Sequence, residues 1–459
     1  MMKPGSVLTA AVVIAAAVIF FMPVPAGVAP NTMHAGALML LVMGLWAIGS
    51  LPEYLVALLF FVLAILLKIA SPAVIFSGFA SGTLWLVLGG LIIAEAVRAT
   101  GLGERIARTV LGERTLTYPQ LIFAAVAVSV VLAFLMPATV GRILLLVPIL
   151  AAVAERHGLQ PGSSGHNGVL LATILATFQC GTAILPANAP NLVLAGQAET
   201  LYNVQLIYAE YLFVQFPVMG LVKGGLIILV TCWLFPAKTQ PATAAVELRA
   251  MSVEEKRLLT ILCMALAFWS TDFLHHIHSG WIAMTAAVVV LMPRIGAVPV
   301  TLFQERVRFG AFFYVGAILG LGALMLDSGV SAAIGHALLS VIVLERGADA
   351  ANFGILSLIA TFAGLLTTNP SQPALLAPLA GHIAEATGWP IKTALMTIAI
   401  GFSTLILPYQ VPPIVVGLQA ANITVRTALR VTAVLALISI IALIPLSYLW
   451  WKSIGYFGN

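Results

Sequence analysis

Arg142 stands alone in the stretch MPATVGRILLLVPILAAVAERHG, followed directly by Ile, three Leu and Val. A guanidinium in apolar surroundings is costly unless it is paired or hydrated. Its planar fork suits a carboxylate or a sulfate. It serves either a bound anion, in the place of a cation, or the protein alone, snorkelling to an interface or pairing with a structural carboxylate. A second polar group interrupts Leu365–Gly388, where Thr367, Thr368, Asn369, Pro370, Ser371, Gln372 and Pro373 follow one another. Two further apolar runs are broken by LPANAPNLVLAG, which carries Asn188 and Asn191, and by LPYQVPPIVVGL, which carries Tyr409, Gln410 and Pro412. Hydroxyls, amides and one guanidinium can hold a small anion or a hard cation. They include no nucleophile–base pair, phosphate loop or metal motif, so the expected chemistry is binding rather than catalysis, and an enzyme has no support.

The elements that carry these groups must lie in a membrane. The chain has 459 residues, 61% hydrophobic and 8% charged, with mean hydropathy +1.09, whereas soluble domains carry roughly a quarter charged residues. In hydrocarbon each backbone polar group needs an internal partner, so a polar, proline-broken turn survives only where it lines a protein cavity. The net charge of +5 is scattered over loops and does not point to nucleic acid. Cys180, Cys232 and Cys263 fall in apolar segments without metal or disulfide spacing. His275, His276 and His278 read as a solvated helix end, Glu53 beside Pro52 as a turn, and Lys223 as a salt-bridge partner of Glu95 or Asp327. The apolar run after Lys3 has the look of a signal peptide, but it continues into a second hydrophobic segment and is taken as a span.

Spans of about 20 apolar residues are expected at Val7–Val24, Ala35–Gly49, Tyr54–Ile69, Leu84–Val97, Val169–Ala183, Leu212–Phe235, Leu258–Phe273, Trp281–Met292, Ala311–Leu326, Ala394–Leu407 and Ala428–Trp451, eleven in all. Two more stretches, Leu121–Ala154 and Phe353–Ala386, are interrupted and read as re-entrant hairpins. They superimpose: Pro148, Glu155 and Gly158 match Pro378, Glu385 and Gly388 at a separation of 230, and LPANAP matches LPYQVP at 222. WLVLGGLIIAEAVRATG near Trp85 likewise matches FFYVGAILGLGALMLDSG near Phe312. An ordered set of matches marks a repeat. With the N-terminus cytoplasmic and the C-terminus external, 15 of the 21 Lys and Arg face the cytoplasm, among them Lys3, Arg114 and Arg249. Lys68, Arg346, Lys392 and Lys452 face outward, and Arg142 and Lys223 fall in the membrane, as the positive-inside rule expects. Five spans and a hairpin between equivalent points invert the second copy. The expected fold is therefore an all-α polytopic protein with inverted repeats at 1–235 and 258–459 and a cytoplasmic linker at 236–257. Gly101–Arg114 is expected to lie at the interface, and Leu302–Arg308 to do the same in the second copy.

At these residues the chain resembles the divalent anion/sodium symporter family of the ion transporter superfamily. That family carries a Ser-Asn-Thr triplet in each hairpin ten residues before a proline, then a TPPN-like turn. Here the triplet positions read Ala138-Thr139-Val140 and Thr368-Asn369-Pro370, before Pro148 and Pro378, and the turns read Asn188-Ala189-Pro190-Asn191 and Val411-Pro412-Pro413-Ile414. The resemblance implies a homodimeric elevator in the cytoplasmic membrane, carrying a small divalent anion (a di- or tricarboxylate, or sulfate) with sodium as coupling ion and no other cofactor. It implies an anion site from Thr139, Arg142, Asn188, Asn191, Thr368, Asn369, Gln410 and Pro412, and a cation site from Thr367, Thr368, Asn369 and Gln410. The first triplet lacks Ser and Asn, and Arg142 adds a fixed charge beside it. That points to weakened or absent sodium dependence at the first site, with exchange or proton coupling in its place. A cation or metalloid exchanger of the superfamily would centre on an intramembrane carboxylate, whereas Glu155 and Glu385 lie at the far ends of their hairpins. A channel or complex subunit would have no use for polar breaks repeated in both halves.

Overall fold

The computed structural model describes residues 4–24, 30–112, 115–241 and 250–458. Lys3, Arg114, Arg249 and the middle of the linker lie outside the described residues. Within them the chain is helical, without a strand. Six described helices are long and apolar enough to cross a membrane: Asn31–Ile48, Gly82–Thr100, Tyr118–Leu135, Tyr208–Leu234, Gly310–Asp327 and Val425–Ser453. The remaining expected spans are shorter helices, such as Glu53–Leu66 and Ser279–Leu291, except Val253–Ser270, which has 18 residues but begins with a charged first turn. Both interrupted stretches are broken as expected. Tyr118–Leu135 stops at Met136–Ala138, here the first tip, before Thr139–Arg156. Asp349–Ala363 stops at Gly364–Pro370, the second tip, before Ser371–Leu376.

The matches seen in sequence have structural counterparts. Gly158 and Gly388 both close their helices with positive φ, +80° and +77°, where a side chain would be strained. The long helices Tyr208–Leu234 and Val425–Ser453 each contain a π-helical segment, Phe216–Val222 and Ser439–Leu443. One expectation moves. Leu302–Arg308 forms only the short helix Thr301–Glu305, and the counterpart of Leu102–Leu111 is Val330–Val341. Each follows a left-handed glycine, Gly101 or Gly329. Val330–Val341 carries no Lys, Arg, Asp or Glu, so charge patterning does not mark it in the sequence.

Two packing relations position the breaks. Gly82–Thr100 lies along Ser279–Leu291, and Glu53–Leu66 along Gly310–Asp327, each pairing a helix of one half with a helix of the other. The second parts of the broken helices also cross over. Ala189–Tyr202 packs on Ser371–Leu376 and Ile391–Ser403, and Pro412–Ala420 packs on Thr139–Arg156 and Ser164–Gln179. Without a strong hydrophobic drive in lipid, helices associate through small residues that let backbones approach. At Gly89 an added Cβ would stand 2.8 Å from the Ala283 carbonyl carbon. Gly89→Val should therefore force this crossing apart and cost about 1–3 kcal/mol, read as a lowered melting temperature in detergent. An unchanged melting temperature would mean that the crossing is slack.

Candidate functional site

Prolines set the breaks. Pro137 and Pro370 stand in the tips, Pro186 and Pro408 in the loops that interrupt the two broken helices, and Pro190 and Pro412 in the first turns of the helices that resume. Each removes an N–H, which a helix interior cannot spare and a first turn can. The first broken helix stops at Gln179 and resumes at Ala189 after two 3-10 turns, and the second stops at Ser403 and resumes at Pro412. Helices that end here leave C-terminal carbonyls without intrahelical partners, at the negative end of the helix dipole.

Arg142 meets those carbonyls in the first half. It is fully buried and does not reach an interface. Its guanidinium donates to the Met136 carbonyl, to Thr177 O at 3.1 Å, to Ala187 O at 3.0 Å and to Asn188 Oδ1 at 3.5 Å. Thr139 donates to Asn188 Oδ1 and to Ala187 O. Asn188 holds Phe178 O at 2.8 Å, and Asn191 donates to Ile184 O at 2.8 Å and Gly181 O at 3.2 Å. The first tip and the first break are thus laced together around one cation held entirely by oxygens.

The second half is laced without a charge of its own. Asn369 donates through its side chain to Phe402 O and through its backbone to Gln410 O, both at 2.9 Å. Gln410 Oε1 accepts from Ile406 N and Leu407 N. Thr368 and Ser371 hydroxyls lie 3.0 Å apart, and Tyr314 hydroxyl lies 3.1 Å from Ser371. Thr367 turns back to Ala363 O at 3.3 Å. The offset of 230 that pairs the two hairpins brings Gln372 to the place of Arg142. It is fully buried, donates to Ala360 O and leaves its Oε1 unpartnered. Lys223 corrects an expectation. It pairs with neither Glu95 nor Asp327 but donates to Ser403 O, at the end of the second broken helix. Glu95 lies 3.5 Å from Arg98 instead. The partner is 180 residues away in sequence, so spacing gives no hint of it. The two breaks touch where Thr182 and Ser403 hydroxyls approach to 2.8 Å. Among the histidines, His278 Nδ1 accepts from Gly280 N at 3.0 Å and its ring sits 3.5 Å from Glu199.

A cavity of about 290 Å³ opens beside these breaks. Thr139 and Pro412 line it, together with Pro190 and Pro370. Leu86, Val87 and Tyr314 face them from the helices opposite. Arg142, Asn188, Asn191, Asn369 and Gln410 stand behind this lining and shape the breaks through backbone hydrogen bonds. Glu53, read in the sequence as a turn residue, also borders the cavity, because Glu53–Leu66 packs on the helix that carries Tyr314.

The chain matches the sodium:sulfate symporter transmembrane region over residues 6–457. It belongs to this family. The transporter is 25% identical to a membrane protein of Cupriavidus necator, over 83% of this chain and 76% of that one. It is 23% identical to the L-tartrate/succinate antiporter of Escherichia coli K12, over 82% and 79%. Its fold resembles that of the YdaH transporter of Alcanivorax borkumensis, with TM-score 0.57 and 17% identity over 83% of this chain and 87% of the other. This family consists of membrane transporters and not enzymes. In this transporter Asn369 ties the second tip to the second break. Asn369→Ala removes one buried amide partner, worth about 1 kcal/mol, and should slow transport while the purified protein keeps its oligomeric state. Transport at the wild-type rate would take Asn369 out of the site.

Proposed function

We propose that the protein is a secondary carrier of small dianions, dicarboxylates or sulfate-like ions, in the cytoplasmic membrane, and that it works as an elevator in a homodimer. The observation that carries this reading is the oxygen cage around Arg142. Carbonyls at a helix break could hold a monovalent metal ion. Here a guanidinium takes that place and supplies a permanent positive charge behind the cavity, next to which a dianion is stabilised. The named activity of the Escherichia coli relative favours dicarboxylates. The cavity supports the elevator, since it separates tips and breaks on one side from Gly82–Thr100 and Gly310–Asp327 on the other. Relative movement of those two bodies would expose the cavity to alternate sides. The matched glycines and π-helical segments support a repeat between 1–235 and 258–459, and the distribution of Lys and Arg supports its inversion, with the N-terminus cytoplasmic and the C-terminus external.

On this reading sodium has no place at the first break. Uptake of labelled succinate into proteoliposomes should proceed equally with sodium and with choline, and Arg142→Ala should lower it at least tenfold. Dependence on two or more sodium ions per anion in the wild type would reject the reading. Wild-type kinetics in the Arg142→Ala variant would reduce the residue to a structural one.

A further inference from the structure

A groove of about 410 Å³, larger than the cavity of about 290 Å³ beside the breaks, lies outside the site described above. It is bounded by the connecting helix Leu102–Leu111 and by Thr139–Arg156, the helix that follows the first tip, and the two pack on one another. Its walls are apolar, formed by Leu111, Leu144, Leu145, Pro148, Ile149 and Val153. Leu144 is 41% exposed, so the groove offers its apolar wall outward. Three charged side chains complete the lining, Glu104, Arg108 and Arg156. Glu104 pairs with Arg108 one turn further on, which leaves the charge of Arg156 uncompensated. Arg156 forms no ion pair among the described residues, and its Nε is buried there without a hydrogen-bond partner. An apolar trough that ends at an unpaired guanidinium fits an amphipathic molecule with an anionic head.

The matching place in the second half differs in charge. The separation of 230 carries Arg156 to Ala386, and the pairing of Gly101 with Gly329 carries Arg108 to His336 and Glu104 to Ala332. The arginines therefore stand only in the copy that the distribution of Lys and Arg assigns to the cytoplasmic side. Anionic phospholipids give the cytoplasmic leaflet its negative surface, and basic pockets between helices on that side take their headgroups.

We propose that this groove binds one anionic phospholipid of the cytoplasmic leaflet, an acyl chain along Leu144, Pro148 and Val153 and the phosphate on Arg156 and Arg108. Guanidinium forks hold phosphate oxygens in two parallel hydrogen bonds, and the Nε of Arg156 gains the partner it lacks. A zwitterionic lipid gains less, because the carboxylate that could meet its ammonium is already held by Arg108. The bound lipid fills the space between the connecting helix and the helix that carries Arg142, and so braces the first tip. Binding at this groove is independent of what the protein carries.

The test uses the purified full chain, stripped of lipid in detergent, and native mass spectrometry with phosphatidylglycerol and phosphatidylcholine of the same acyl chains. One phosphatidylglycerol per chain should bind at least tenfold tighter than phosphatidylcholine and raise the melting temperature. Arg156→Gln should abolish that preference. Ala152→Trp, which fills the groove from an exposed position, should weaken binding of both lipids without a change in charge. Arg430→Gln, which removes a cation outside the groove, should leave the preference intact. Equal binding of the two lipids, an unchanged preference in Arg156→Gln, or an equal loss in Arg430→Gln would overturn the proposal. So would displacement of phosphatidylglycerol by millimolar inorganic phosphate, which would make the groove a site for the free ion. If Arg156→Gln does not fold, undiminished binding of phosphatidylglycerol to Ala152→Trp would overturn it alone.

Discussion

A helix that stops inside a membrane leaves carbonyl groups that neither water nor its own backbone can satisfy. In this protein the two most buried interruptions end at Gln179 and Ser403, and much of the surrounding sequence answers that one constraint. Prolines stop the helices, asparagines fasten the loops back onto the helix ends, and cations take the remaining oxygens. Arg142 and Lys223 are stable in the interior because these oxygens need them. The breaks keep their shape because the cations are there. The cavity beside them has these cations behind its lining, while the one charged side chain in the lining is the Glu53 carboxylate.

The halves solve the same problem unequally. In the first, the cation is local, four residues into the helix that follows the tip. In the second, an amide stands at that point, and the cation comes from a π-distorted helix of the other half. The crossing-over of Ala189–Tyr202 and Pro412–Ala420 makes such an exchange feasible, since each break lies against elements of both halves. Near-symmetry of backbone combined with asymmetry of side chains explains why the family's paired triplets are recognisable in one tip and replaced in the other.

The backbone was more legible in the sequence than the site. Apolar length marked the helices, proline and glycine marked where they stop, and the recurring Pro148/Pro378 and Gly158/Gly388 spacing carried the repeat, because these are local requirements of chain geometry. Arg142 could be singled out as a buried charge, but its partners could not. They are carbonyls of Met136, Thr177 and Ala187, and a carbonyl has no residue type. Lys223 looked like half of a salt bridge, since sequence offers carboxylates as partners and hides backbone oxygens. Glu53 and Tyr314 reach the cavity only through helix packing, and Val330–Val341 escaped notice because it carries no charge pattern.

The central claim, that the cation places at the breaks are filled by the protein itself, is tested most directly by calorimetric titration of succinate into purified protein in sodium and in choline buffers. The account predicts the same Kd in both. A tenfold tightening by sodium, about 1.4 kcal/mol of coupling, would contradict it, for it would require a cation site that Arg142 and Lys223 leave open.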